Sequence, residues 1–273
     1  MNARGNSVFR VVFGAYLVLH FGMLVPYAAE LFGSAGLVPD PVLNPLHGLF
    51  PNPLAVWDIA TPWCVALTLL AGCFMLGWWP RMAALLMWFG STALFHRNNL
   101  TANPSLAYLG LMLVLCALAR RDGSLPRMAL VCAWVLLAVG YTFSGITKLE
   151  SASWIDGSAM IRLMENPLVR DWSPRVWMMA LPAWMLQMLT WGTLALELLF
   201  LPLCTFANGR KWAWIAAVSM HLGILMLVDF ADLTLGMLMV HLFVFDAAWV
   251  PARWRATSGY RFLFLYETHP TVS

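Results

Sequence analysis

A chain of 273 residues in which 61% are hydrophobic and only 11% charged does not describe a soluble protein, because ordinary globular chains carry roughly 25% charged residues. A mean hydropathy of +0.74 and 15 tryptophans agree, and a water-soluble domain of this size could not hide so much apolar surface. The net charge is +3. Disordered, collagen-like, coiled-coil and nucleic-acid-binding chains are excluded on the same grounds, which leaves an all-α, polytopic integral membrane helical bundle.

A bilayer core needs roughly 20 apolar residues per crossing helix. Taken in chain order, the sequence predicts eight transmembrane helices near residues 8–32, 59–79, 82–97, 104–119, 126–148, 182–206, 212–230 and 232–250. The third and fourth are short, and read as tilted, partly buried or re-entrant; a lipid-exposed loop is excluded at that depth, where bare amides find no water. The first apolar run is too long for a cleavable signal, and no small-residue cleavage site follows it.

With both termini in the cytoplasm, the inner side receives Arg4, Arg10, Arg81, Arg120, Arg121, Arg127, Arg210, Lys211, Arg253, Arg255 and Arg261. Arg97, Lys148, Arg162, Arg170 and Arg175 remain outside. That asymmetry follows the positive-inside rule and predicts a multi-pass membrane protein with both termini in the cytoplasm. Residues 1–250 read as one membrane domain. Residues 251–273, with Trp254, Tyr260, Phe262 and Phe264 among arginines, read as a short cytoplasmic tail lying in the interface.

Two outer segments are long and largely non-helical in pattern, about 33–58 and 149–181, the second with a short amphipathic stretch around residues 160–169, and long ordered loops usually carry function. Trp57, Trp63, Trp154, Trp172 and Trp177 fall near the same boundary, as an interfacial belt would. Five cysteines (Cys64, Cys73, Cys116, Cys132, Cys204) lie in apolar stretches with no paired motif. Cys64 and Cys73 would stand about 13 Å apart on one helix, too far to bridge, and all five read as small buried hydrophobes.

Ionisable groups inside spans are costly and are functional candidates by default. Lys148 ends the fifth span. It reads either as a snorkelling lysine or as a partly desolvated base beside Ser144 and Gly145. His20, His221 and His241 fall at similar depth in three spans, and point to packing residues or to a shared polar pocket. None has the i, i+3 or i+4 pairing of strong metal motifs, and no metal is expected. Glu197, placed in the inner half of the sixth span, must be protonated or paired, with a histidine or arginine as the expected partner. Asp229 and Asp232 fall in an outer turn and read as solvated. No P-loop, GxGxxG, GxSxG or HExxH is present.

The segment from Tyr141 through Ser144, Gly145 and Lys148 to Leu149, followed by Trp154 and Gly157, resembles the Y-x-x-(A/S)-G-x-x-K-L…W…G motif of the vitamin K-dependent γ-carboxylase family, whose membrane part is the HTTM domain. The R-x-x-FG at Arg10 to Gly14, the HRNN at His96 to Asn99 and the stretch around His221 agree in order. The resemblance spans about residues 8–250. It departs at Asn103-Pro104-Ser105-Leu106-Ala107-Tyr108, where the family carries a histidine, and the family's extramembrane part has no counterpart before Ser273.

The resemblance implies that Lys148 is the base that deprotonates reduced vitamin K or menaquinol. O2 then converts the quinol to its epoxide, and CO2 carboxylates a substrate glutamate. It implies a pocket donor or relay at His221, with Tyr141, Gly145, Trp154, Gly157 and Glu197 shaping the substrate site. The partners expected are the lipid bilayer, an isoprenoid quinone, and a secreted peptide or partner membrane protein. Small members of the same family also resemble the sporulation-delaying-protein B family, which implies a non-enzymatic maturation factor for a secreted peptide instead.

Overall fold

The computed structural model describes residues 3–251; the expected interfacial tail, with Trp254, Tyr260, Phe262 and Phe264, lies outside the described residues. The chain is all-helical, 74% helix with no strands among the described residues. The described residues divide into two compact units, 3–130 with 245–251, and Val131–Val244.

The first unit holds α1 (Ala3–Leu24), a proline-led 3-10 turn at Val25–Tyr27, α2 (Ala28–Phe32), α3 (Ala60–Leu76), α4 (Pro80–Arg97) and α5 (Ser105–Ala117). α1 packs on α3, α3 on α4 and α4 on α5. The R-x-x-FG segment makes the first of these contacts. Gly14 lies against Met75, where an added Cβ would come within 2.8 Å of the backbone. The Arg10 guanidinium donates to the Phe74 and Met75 carbonyls at 2.7 Å. These are terminal carbonyls of α3, which ends at the left-handed Gly77 (φ +85). A cation there offsets the helix dipole and satisfies orphan acceptors.

The 33–58 segment and the end of α2 before it are held by four side chains. Arg97 is fully buried and donates to the carbonyls of Val38 and Gly33. Asn98 donates to Leu31, Asn44 to Phe95 and His96, and Asn52 to Ala93. The HRNN motif is therefore a clamp on this loop, and Arg97 is not the solvated outer charge expected of it.

The second unit takes α6 (Arg127–Lys148) from Val131 onward. It continues through three short helices, α7 (Ala152–Ile155), α8 (Ala159–Met164) and α9 (Ser173–Met179), to α10 (Ala183–Cys204), α11 (Ala207–Leu227) and α12 (Ala231–Phe243). α10 packs on α11 and α11 on α12, while α7 and α8 lie on α10. The 149–181 segment is thus folded rather than loose. Met164, Val169 and Leu227 form a small core beneath it, and Arg170 donates to the Leu225 carbonyl at 2.8 Å.

Each of the eight apolar segments holds a helix, the last ending at Phe243 rather than near residue 250, and the helices are apolar on both faces. Phe13, Met87, Leu137 and Phe200 are buried, whereas Leu19, Leu69, Phe143 and Leu222 are more than half exposed. Helices that are hydrophobic all round yet exposed on one face are compatible with a lipid setting. By length and composition three can cross a bilayer: Gly5–Phe32, Arg127–Lys148 and Ala183–Cys204. α5 and α12 have 13 residues each, about 20 Å of helix, shorter than the roughly 30 Å hydrocarbon core.

All five cysteines are free; Cys64 and Cys116 are buried, Cys73 and Cys204 are half-buried and Cys132 is exposed, which corrects the reading of all five as buried hydrophobes. Asp229, expected to be solvated, stays exposed but stands 3.6 Å from Arg170. Trp57, Trp172 and Trp177 are exposed. Trp63 instead donates its indole N–H to the Gly90 carbonyl.

Candidate functional site

The spacing Tyr141, Ser144, Gly145, Lys148 places these residues on one face of α6, since i, i+3, i+4 and i+7 superpose on a 3.6-residue repeat. That face meets α10. At Gly145 a Cβ would lie 2.8 Å from the Leu198 backbone nitrogen and 3.1 Å from the Glu197 carbonyl carbon, so only glycine allows this approach. Beside it, Lys148 Nζ lies 2.6 Å from Glu197 Oε2 and donates to Ser144 Oγ at 2.7 Å. The ammonium also stands 5.1 Å from the centroid of the Trp154 ring, within cation–π range. The Lys148 side chain keeps 22% of its exposure and that of Glu197 7%.

This geometry corrects one expectation: the partner of Glu197 is Lys148, not a histidine or arginine. Lys148 ends α6 but does not sit at the end of α10. It meets α10 at a residue 14 positions along that helix, about 21 Å from its start. The helix ends are not flush: α7 and α8 pack on the first half of α10 and occupy the level that α6 does not reach. Two hydrogen bonds fix them there, Met160 N–H to Thr190 Oγ1 at 3.0 Å and the Trp191 indole N–H to the Ile155 carbonyl at 3.1 Å.

Gly157 turns the chain between α7 and α8 with φ +82, and a Cβ there would stand 3.0 Å from the Trp191 ring. Gly157→Ala is expected to destabilise the protein by about 1–2 kcal/mol, the cost of a side chain in the left-handed region. Thermal unfolding in detergent reads this directly. Asp156, next to it, has its carboxyl held below the usual range by the Ser158 hydroxyl and N–H.

One turn below Gly145, Tyr141 is stacked on Phe200 with ring centroids 4.4 Å apart. Its Oη lies 2.5 Å from His221 Nε2 and 2.8 Å from His241 Nε2. All three side chains are buried. Trp214 donates its indole N–H to the His241 carbonyl, fixing α11 against α12 at this level.

Lys148, Glu197, Gly145 and Trp154 thus form one cluster, and Tyr141 and His221 an adjoining one on the same helix face. Gly157 supports the first through the loop. His241 was legible as a candidate through its depth, but its meeting with Tyr141 was not. Ser144 was visible as a neighbour of Lys148 only. His20 belongs to the other unit, where it lines a cavity of about 430 Å³ with Leu17, Phe21, Trp88, Phe95 and Asn103. No group of three or more His, Cys, Asp or Glu side chains arranged to hold a metal occurs among the described residues.

Chemically, the lysine–carboxylate pair is an acid–base couple in a setting mostly removed from water, where charge interactions are strengthened. Comparison with known proteins finds no match to any protein-family model, any curated protein or any solved structure.

Proposed function

We propose that the chain is a γ-carboxylase-like membrane enzyme that deprotonates an isoprenoid quinol at the Lys148–Glu197 pair in an O2-dependent epoxidation. In this reading eight helices enter the membrane, with both termini in the cytoplasm of a bacterial cell. The observation that carries the reading is the 2.6 Å contact of Lys148 with Glu197, on the α6 face that also presents Tyr141 and Gly145.

A paired ammonium has no lone pair to offer. The couple gains one by passing a proton from Lys148 Nζ to Glu197 Oε2, 2.6 Å away, which leaves both groups neutral. The amine then accepts the proton of a quinol hydroxyl, leaving an ammonium beside the new oxyanion and a neutral Glu197. The ammonium stabilises that anion where it forms. Ser144 Oγ orients Nζ from one side, and the Trp154 ring presents a flat apolar face to a planar substrate. The quinol supplies the reducing electrons for oxygen; what this chain supplies is the proton acceptor, its orientation and a largely dry surround. Carboxylation of a secreted peptide by CO2 is the coupled step that the family resemblance adds.

Mass spectrometry on protein reconstituted in lipid with menaquinol or vitamin K hydroquinone and oxygen tests this. The expected product is the quinone epoxide, absent without oxygen and reduced by about 100-fold or more in a Lys148→Met/Glu197→Leu double variant. Epoxide formed equally by that variant rules the assignment out.

A second reading is a non-enzymatic maturation factor for a secreted peptide, of the sporulation-delaying-protein B type. It draws on the same contact, because an ion pair of this length also serves as a purely structural tie. Client processing undiminished in the double variant, with no epoxide from the parent, favours it.

A further inference from the structure

Tyr141 has one hydroxyl hydrogen and two imidazole nitrogens within hydrogen-bond distance, at 2.5 and 2.8 Å. It can donate to only one of them. The other ring must donate its Nε2–H to Oη, because two lone pairs facing each other form no bond. The two neutral rings are therefore in opposite tautomers. One carries its hydrogen on Nε2 and a lone pair on Nδ1; the other accepts at Nε2 and carries its hydrogen on Nδ1. Both Nδ1 atoms are buried, and neither meets a hydrogen-bond partner among the described residues.

From this we infer that Tyr141, His221 and His241 form a proton relay through the interior of the second unit, with the two Nδ1 atoms as its ends. The step balances as follows. A proton arrives at the Nδ1 lone pair of the first ring, and that ring passes its Nε2 hydrogen to Oη. Oη passes its own hydrogen to Nε2 of the second ring, which releases its Nδ1 hydrogen. No net charge remains, and both tautomers and the direction of both hydrogen bonds are inverted. A purely structural cluster needs a single polarity and no external groups at its ends. Here each end has the opposite character, donor at one and acceptor at the other, which suits water or a hydroxylic group at either. The surroundings keep the three rings in register: Phe200 stacks on Tyr141 at 4.4 Å, and the two imidazole centroids are 5.7 Å apart.

The inference is independent of quinol chemistry, since it concerns only proton movement within the cluster, and its test uses no substrate. Nitrogen-15 spectra of histidine-labelled protein in lipid, assigned with His221→Asn and His241→Asn, report the tautomer of each ring. The expected result is exchange between tautomers in both rings, slowed by about 100-fold or more in Tyr141→Phe, which keeps the ring stack and removes the hydroxyl. Rings frozen in one tautomer in the parent protein overturn the relay, as does exchange that persists unchanged in Tyr141→Phe. If that variant does not fold, 3,5-difluorotyrosine at position 141 keeps the hydroxyl and makes it more acidic. A changed exchange rate then supports the relay, and an unchanged one overturns it.

Discussion

Lys148→Met is expected to destabilise the folded protein by about 3 kcal/mol, the lower end of the range for breaking a buried ion pair. The variant strands Glu197, whose side chain is 7% exposed, while Lys148 at 22% retains some contact with its surroundings, so the full penalty does not apply. Adding Glu197→Leu to Lys148→Met should recover most of the loss, because an apolar pair of similar volume replaces a charge pair that was costly to bury. Glu197→Gln alone should sit between the two, keeping an acceptor for Nζ without its charge. Reversible unfolding in mixed micelles, read by tryptophan fluorescence, gives all three values. A double variant no more stable than Lys148→Met would mean that the two residues do not act as a pair.

The face of α6 that builds the cluster was legible because helical periodicity is a local property: Tyr141, Ser144, Gly145 and Lys148 share it whatever surrounds the helix. What Lys148 touches was not. Counted from the predicted ends of each span, as though all helices began level, depth assigns Lys148 and Glu197 to opposite halves of the bilayer. The structure removes the conflict by placing α7 and α8 alongside the first half of α10. Of these short helices, α7 with four residues leaves no periodic signal, and the amphipathic stretch over the six-residue α8 does not say which helix it lies on. Depth likewise grouped His20, His221 and His241. Depth says nothing of which unit a helix joins, so one of the three is elsewhere. The interior contacts of the R-x-x-FG and HRNN segments were equally invisible. Arg10 and Arg97 satisfy backbone carbonyls far along the chain, and their charge alone had assigned them to the aqueous sides.

Gly145→Leu carries the second large effect, and it separates geometry from chemistry. A Cβ at this position already meets backbone at 2.8 Å, and its nearest neighbours are Leu198 and Glu197 themselves, not the far end of a flexible side chain. α6 and α10 must therefore move apart. Overpacking of this kind costs about 1–3 kcal/mol, and the upper value is expected because main chain rather than a rotamer has to give. The separation also stretches the bond from the Thr142 hydroxyl to the Leu201 backbone N–H, now 3.1 Å, in which Oγ1 accepts. It opens the Lys148–Glu197 contact without altering either residue. Gly192→Leu on α10 is the matched control, since nothing lies within 4 Å of a Cβ there, and it should be neutral or slightly stabilising through the gain in helix propensity. A crosslinking distance between cysteines placed on the outer faces of α6 and α10 should lengthen in Gly145→Leu and not in Gly192→Leu. An unchanged distance with lost stability would show that the strain is absorbed within α6, and the close approach at Gly145 would then not be what holds the acid–base pair together.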